Sequence, residues 1–453
     1  MSNITRIDIN GLNGHKNVRL ELRSRHCIIV GPNGSGKSTA LQILAYALGR
    51  QWKSLSTLRF TSLALTFADG SAAVLNRDSA AGFTAVSGRF NPRFSRIQRD
   101  LIEQDGLTAF ISADLTKSVD EYVHRLGLPP SDLRMAQRYF RSTSENKSAQ
   151  KEVLEFQSAL QQQRVPITLY LPTYRRIELE LERMVGEIPE YVRRDLRIRP
   201  GISSESIVEL VRFGMEDVNS AIQVFERQTR DFARNRFNRM MASYLKEMAN
   251  SRVLSVGDLR SHKIDQDKVR VVLSRIEEGL LNEQEKAQIT DIILELSSGP
   301  GAGNQPFNKK WLAHFFVRLL EVDTDIERLE QPIRRLVAAL SKYFHPKMVS
   351  YDIENYHFSI KGEDGAELAL SDLSSGEKQV VSILSQLTVG SAKSVNVLID
   401  EPELSLSVPW QSELLQDIAR TPACNQIFSV THSPFIYDNS LSNSVVDFVE
   451  ATY

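Results

Sequence analysis

The sequence has little cysteine: Cys27 and Cys424 are the two in 453 residues. Two thiols can build neither a disulfide framework nor a four-ligand zinc site, and so sparse a use of cysteine leads us to expect a reducing, cytoplasmic compartment. Long apolar runs are also missing. None approaches the roughly 18 residues that a membrane helix needs, which excludes a membrane-embedded transporter. Residues 1–8 contain no apolar stretch of the kind found in a signal peptide. Neither sign of charge is in excess: Lys plus Arg number 55, Asp plus Glu 56, and the net charge is -1. Any nucleic-acid contact must therefore be local. The eight histidines are scattered and form no His/Asn/His nuclease pattern. What remains is ordinary for a folded globular chain, with 42% hydrophobic and 25% charged residues. A chain this long is expected to form about three structural units.

Apolar and polar residues alternate over 3–9 and again over 17–22, with Gly11 and Gly14 between them, so both segments read as strands. Residues 26–30 are a short apolar run, read as a buried strand. A glycine-rich loop covers 31–36. Leu41, Ile43, Leu44, Tyr46 and Ala47 then recur at helical spacing. Segments 62–67 and 72–76 read as further strands. Residues 94–164 look helical and polar, 166–171 form an apolar strand stopped by Pro172, and 176–345 are mostly helical. Pro200-Gly201 and the glycine-rich stretch 297–303 interrupt that region. Strands return at 349–353 and 356–361, followed by a helix over 376–388, a strand over 395–399, a helix over 409–419 and a strand over 425–430. Sheet elements thus stand at both ends of a helical insertion.

Gly31-Pro-Asn-Gly-Ser-Gly-Lys-Ser38 fits the pattern G-x-x-x-x-G-K-[ST] between an expected strand and an expected helix. Its candidate phosphate contacts are Gly31, Asn33, Gly34, Ser35, Gly36, Lys37, Ser38 and Thr39. The glycines let backbone N–H groups turn toward phosphate oxygens, Lys37 reaches the β- and γ-phosphates, and Ser38 offers a hydroxyl to Mg²⁺. The apolar strand 395–399 ends in Asp400 and Glu401. Asp400 is placed to hold Mg²⁺ and Glu401 to deprotonate an attacking water. Ser374, Ser375 and Gly376 precede a helix and can offer a hydroxyl and backbone N–H groups to a phosphate. Ser374 with Glu377 also spells a capping box, and both readings hold together. His432, after the strand 425–430, can hydrogen-bond a γ-phosphate.

The order P-loop, Leu-Ser-Ser-Gly-Glu at 373–377, Ile-Asp-Glu-Pro-Glu at 399–403 and Thr-His-Ser-Pro at 431–434 resembles the ABC-type ATPases, in the branch of SMC, Rad50, RecF and OLD-like proteins. The likeness covers residues 1–50, 166–175 and 348–437. It implies an α/β fold: a split P-loop ATPase head of mixed sheet and helices, interrupted by a mostly helical insertion. Residues 1–175 would be lobe I, 176–345 a short coiled-coil-like insertion, and 346–453 lobe II. The resemblance implies ATP and Mg²⁺ as cofactors, with Ser38 and Asp400 on the metal and Glu401 and His432 catalytic. It also implies a homodimer or higher oligomer whose heads sandwich ATP, the signature residues 374–376 meeting the partner's nucleotide. Three departures stand out, one of them Ser375, where transporters usually have glycine. Residues 403–409 read Glu-Leu-Ser-Leu-Ser-Val-Pro where the family has Leu-His-Pro. No glutamine follows the strand at 166–171, where Arg175 and Arg176 stand instead.

The run 170–178 and the Asp-Glu-Pro-Glu-Leu-Ser-Leu segment resemble the stand-alone OLD-like ATPases of the PARIS and Septu anti-phage systems. By that likeness the chain is an ATPase subunit with a separate effector, a Toprim or HNH nuclease, because Tyr453 follows His432 too closely to leave room for a fused one. The alternative is a RecF- or Rad50-like repair ATPase acting on DNA. For DNA the candidates are Arg227, Arg230, Arg234, Arg236 and Arg239, interleaved with Phe232 and Phe237. Two smaller clusters are Arg193, Arg194, Arg197 and Arg199, and Arg89, Arg93, Arg96 and Arg99. Each is equally a solvated helix face.

Overall fold

The structure is a computed structural model and describes residues 3–87, 129–131, 133–134, 137, 147–172, 207–209, 215–250, 264–276, 281–298, 307–390 and 394–453. The arginines at 89–99, 175–176 and 193–199 lie outside the described residues, as does most of the glycine-rich stretch 297–303. Backbone packing divides the chain into two units, Met1–Arg212 with Ala392–Tyr453, and Phe213–Ser391. The α/β head expected from the sequence is present, split along the chain by a largely helical region. Within the second unit the strand Met348–Asp352 packs back on the helix Phe307–Phe344.

The first unit holds two sheets. Strands β1 (Ile4–Leu12), β2 (Lys16–Glu21), β4 (Ser62–Phe67) and β5 (Ala72–Asn76) form an antiparallel sheet in the order β2-β1-β4-β5. Strands β3 (His26–Val30), β6 (Ile167–Leu171), β7 (Ile207–Glu209), β10 (Val395–Asp400), β11 (Cys424–Val430) and β12 (Val445–Asp447) form the second, in the order β12-β3-β11-β10-β6-β7. All five pairings in the second sheet are parallel. Every residue of β10 and β11 is buried, as expected for parallel strands covered on both faces. The short strands β7 and β12 were not foreseen. Three residues carry no periodicity, and β7 lies in a stretch expected to be helical.

Helix α1 (Lys37–Leu48) buries Ala40, Leu41, Ile43, Leu44, Ala47 and Leu48 in one apolar cluster with both sheets. Helix α2 (Trp52–Thr57) sets Trp52 edge-on to Phe83 of α3 (Arg77–Ser87) and Phe156 of α4 (Lys147–Gln162). The two sheets are also tied by one side chain. Gln426 of β11 accepts from the Ile4 N–H at 2.9 Å and donates to the Ile4 carbonyl at 3.0 Å, fully buried. Cys27 and Cys424 are buried and unbonded to each other, and burial pushes both thiols up to about 12. Thiols so placed are inert.

In the second unit the long helices α5 (Met215–Ala249) and α8 (Phe307–Phe344) pack together. Helices α6 (Gln266–Ser274) and α7 (Glu283–Ser298), the hairpin β8 (Met348–Asp352)–β9 (His357–Lys361) and helix α9 (Ser375–Thr388) complete it. Arg275, just past α6, is sealed inside. Its guanidinium donates to Asp323 at 2.7 Å and to both oxygens of Glu330, at 2.8 and 3.0 Å. All three side chains are at most 2% exposed. No helix among the described residues is long and apolar enough to cross a membrane.

Gln426→Leu keeps the volume of the side chain but leaves the Ile4 N–H and carbonyl buried without partners. Unfolding in urea is expected to show a loss of about 2–4 kcal/mol, at roughly 1–2 per orphaned group. An unchanged midpoint would refute the clasp.

Candidate functional site

Strands β3, β11 and β10 are consecutive in the sheet and run in the same direction, so their C-terminal ends lie side by side. The register sets Ile29 against Val430 and Val430 against Asp400. Three chain segments leave from that edge. The glycine loop 31–36 follows β3, Glu401–Ser407 follows β10, and Thr431–Ser433 follows β11. Open parallel sheets bind their ligands at this edge.

The loop after β3 owes its shape to glycine at two points above all. Gly36 caps α1 with φ +110°, and a Cβ there would lie 3.1 Å from Leu12 Cδ2 and 3.3 Å from Asn13 Nδ2. Gly31, at φ +150°, faces Phe448 so closely that a Cβ would come within 3.3 Å of that residue's Cβ. Lys16 of β2 steadies the loop from outside, donating to the Ser35 carbonyl at 3.2 Å. The Lys37 side chain curls back under the loop. Its ammonium donates to the carbonyls of Gly31 at 2.9 Å and Pro32 at 2.8 Å. Burial lowers its pKa, and the nearby Glu401 and Asp400 carboxylates work the other way. Ser38 Oγ donates to Asp400 Oδ1 at 3.0 Å, joining the loop to the end of β10. Asn33 and Gly34 are exposed at the loop's tip, and Thr39 is half-buried in the first turn of α1.

Glu401 sits in the left-handed region at φ +52°, its N–H donating to the Val430 carbonyl at 2.8 Å. Burial raises the pKa of its carboxyl, as do Asp400 and Glu403, while His432 and Lys37 oppose the rise. Glu403 accepts from Thr431 Oγ1 at 2.7 Å and from the His432 N–H at 2.8 Å. The His432 side chain is exposed. The structure thus brings Gly31, Ser35, Gly36, Lys37, Ser38, Asp400, Glu401 and His432 to one edge of one unit.

The signature residues belong to the other unit. Ser374 caps α9: its Oγ accepts from the Glu377 N–H at 3.3 Å, and Glu377 accepts from the Ser374 N–H at 2.8 Å. Ser375 and Gly376 are the first two helical residues. The capping box is real, and it leaves the Ser374 hydroxyl hydrogen free of that role. Lys347 was not foreseen. Its ammonium meets both oxygens of Glu377, at 2.7 and 2.9 Å. Burial alone would raise the Glu377 carboxyl, but Lys347 and Ser374 hold it below the ordinary glutamate value.

Two features test whether nucleotide and Mg²⁺ fit. Ser35 Oγ is buried within the loop and finds no hydrogen-bond partner among the described residues, as a hydroxyl awaiting an oxygen ligand would. The Ser38 hydroxyl and Asp400 carboxylate are hard oxygen donors, the kind Mg²⁺ takes alongside phosphate oxygens and water. Among the described residues no three His, Cys, Asp or Glu side chains gather as a metal cage. Mg²⁺ commonly does without one, relying on substrate phosphates. Of the basic stretch on α5, Arg227, Arg230 and Arg234 are exposed along one ridge, with Arg239 exposed as well. Arg236 is paired with Asp325, and Phe237 packs on the core. Gln163 is engaged by Asp69 and Ser71, at 2.6 and 2.7 Å.

A parallel sheet that seats a lysine-bearing glycine loop beside an acidic strand end is the mark of the P-loop ATPases. Within that class the chain belongs to the family described as "AAA domain, putative AbiEii toxin, Type IV TA system", which matches residues 123–438. The match takes in Ser374–Gly376, Asp400, Glu401 and His432; the P-loop precedes it. No curated protein matches the sequence. The solved structures similar to this chain include three Smc heads. The Smc head domain with an extended coiled coil bound to the C-terminal domain of ScpA, from Pyrococcus furiosus, is 12% identical over 100% of this chain and 95% of that one, with a TM-score of 0.35. The SmcHead bound to the C-winged helix domain of ScpA is 10% identical over 98% and 94%, with a TM-score of 0.34. The Smc head domain with a coiled coil and joint from Pyrococcus yayanosii is 12% identical over 99% and 95%, with a TM-score of 0.32.

The Lys347–Glu377 pair carries a pH signature. The carboxyl pKa is depressed in the fold, so its stabilisation is complete above the unfolded value of about 4.3 and fades as pH falls through the folded value. Lys347→Met is expected to cost about 1.5–3 kcal/mol at neutral pH. The gap to wild type should close in acid. Urea titrations across that range check it, and a gap independent of pH would remove the pair from the account.

Proposed function

We propose that the chain binds ATP with Mg²⁺ at residues 31–39 and hydrolyses it slowly. The observation that carries this is the Ser38–Asp400 hydrogen bond beside Glu401, with Lys37 held under the same loop. The Lys37 ammonium is the cation for the β- and γ-phosphates once it leaves the carbonyls of Gly31 and Pro32. Backbone N–H groups of Gly34, Ser35, Gly36, Ser38 and Thr39 are the donors for phosphate oxygens, and Ser35 Oγ joins them. Ser38 and Asp400 hold the metal, which when bound neutralises phosphate charge. Glu401 takes a proton from the attacking water as that oxygen bonds to the γ-phosphorus and the bond to the bridging oxygen breaks. Its raised pKa favours accepting that proton. His432 hydrogen-bonds the γ-phosphate.

In the wider reading the chain is a subunit of a bacterial anti-phage system. Residues 1–175 and 346–453 are lobes of one ATPase head around an insertion, and ATP joins two heads into a homo-oligomer. Ser374, Ser375 and Gly376 of one copy meet the nucleotide of the other. The assembly senses a trigger and controls a separate effector, a nuclease. The words toxin and type IV TA system in the family's description support a two-component arrangement. A second reading, DNA repair, is favoured by the exposed ridge of Arg227, Arg230 and Arg234 on α5.

Turnover by purified protein tests the first reading. Glu401→Gln is expected to lower kcat by about 10²-fold or more while nucleotide binding persists, and Lys37→Ala to abolish binding. Mass measured with ATP on Glu401→Gln should reach at least twice that of the nucleotide-free protein. Wild-type turnover by Glu401→Gln would sink the general-base role, and an unchanged mass would sink the ATP-joined oligomer. Removing the three ridge arginines together should leave duplex binding and its salt dependence unchanged in the defence reading. A flattened salt slope would favour DNA repair.

A further inference from the structure

Glu403 lies outside every role assigned so far, yet both of its carboxylate oxygens are engaged at the sheet edge. It stands three residues beyond Asp400, in a stretch folded tightly on itself. The Leu404 N–H donates to the Glu401 carbonyl at 3.2 Å, the Leu406 N–H to the Glu403 carbonyl at 3.1 Å, and Ser405 takes a φ of +64°. That fold turns the Glu403 side chain toward the end of β11. Its two oxygens then divide between two successive residues. Oε2 accepts from the hydroxyl of Thr431, which is wholly buried, and Oε1 from the backbone N–H of His432.

The rest of the His432 loop is held in the same ring of bonds. The Ser433 N–H donates to Thr431 Oγ1 at 3.0 Å. Ser433 Oγ donates to Gln411 Oε1 at 2.7 Å, and Gln411 Nε2 donates to the Leu406 carbonyl at 3.0 Å. The ring therefore begins and ends in the segment 403–406. On its far side the Thr431 N–H donates to the Ile29 carbonyl of β3 at 3.2 Å. The imidazole of His432 takes no part: it is exposed, and among the described residues no hydrogen bond reaches it. Its place is set through its backbone, and Glu403 is the ionic member of what sets it. Charge-assisted bonds to a carboxylate are about twice as strong as neutral ones; the bond from Thr431 is partly buried and the bond from the His432 N–H is exposed.

We infer that Glu403 is a positioning residue for His432, clamping the backbone at Thr431 and His432 so that the imidazole is presented to the terminal phosphate. The inference rests on the reading of His432 given above. The effect of Glu403 passes through the histidine, by its bonds to Thr431 and to the His432 N–H.

A double-mutant cycle tests this, because residues that act through one another are not additive. Steady-state ATP turnover is measured for the full chain as wild type, Glu403→Ala, His432→Ala and the double variant, with ATP affinity and melting temperature for each. Glu403→Ala is expected to lower kcat about tenfold with KM changed by less than about twofold. In the His432→Ala background the same change should alter kcat by less than about twofold. Glu403→Gln keeps one acceptor, and Thr431→Val removes one of the two donors, so each should give an intermediate loss. They carry the cycle if Glu403→Ala does not fold. An equal loss in both backgrounds overturns the inference, as does wild-type kcat in His432→Ala, or a loss confined to KM. The ATPase reading is judged separately by Glu401→Gln. If that variant loses turnover while the cycle is additive, the clamp alone has failed. If it turns over normally, the reading beneath has failed.

Discussion

Everything at the candidate site depends on the parallel alignment of three neighbouring strands. A β-strand buried on both faces has no water along its length, so its polar chemistry must be concentrated where the chain leaves the sheet. Strands β3, β11 and β10 leave it at one level. A lysine, an aspartate, a glutamate and a histidine from three distant parts of the chain are thereby gathered without any one segment having to reach. The mutual effects of Lys37, Asp400 and Glu401 on one another's protonation follow from that convergence. Shifting any of the three strands by one residue would reverse which side chains face α1 and would break the Ser38–Asp400 contact.

What could be read from the sequence was whatever is encoded locally. The glycine loop, the apolar strand ending in two carboxylates and the Ser374–Glu377 box all declare themselves within eight residues, and the structure shows each on the element expected. Partners far apart along the chain could not be read that way. Gln426 looks like any polar residue in a strand until Ile4 arrives from the other end of the chain. Lys347 looks like a solvated charge until α9 presents Glu377. Glu403 belonged to a segment judged a departure from the family pattern, yet its side chain holds the loop that carries His432. The strands β7 and β12 are too short for periodicity to register. On α5 the sequence showed five arginines and gave no means of telling the paired Arg236 from the exposed ridge.

The second unit shows the same economy with charge. Arg275 is buried between Asp323 and Glu330, with Lys268 and Arg334 closing the outer sides of those two carboxylates. Leaving any one member alone would strand a charge in a medium that cannot solvate it. The network therefore ties α6 to α8 by geometry that apolar packing alone would not specify. Glu377, locked by Lys347 and its own helix cap, gives the start of α9 a comparable rigidity.

The backbone at Glu401 has a practical corollary. A left-handed conformation costs a side-chain-bearing residue about 1–2 kcal/mol relative to glycine, and the chain keeps glutamate there. Directed evolution for thermal tolerance alone would find glycine or asparagine at 401 rewarding, because either relaxes that turn. With Glu401 in the general-base role proposed above, the libraries most enriched for heat-resistant clones would be those most depleted of working ones. Selection on this scaffold has to score turnover and melting together.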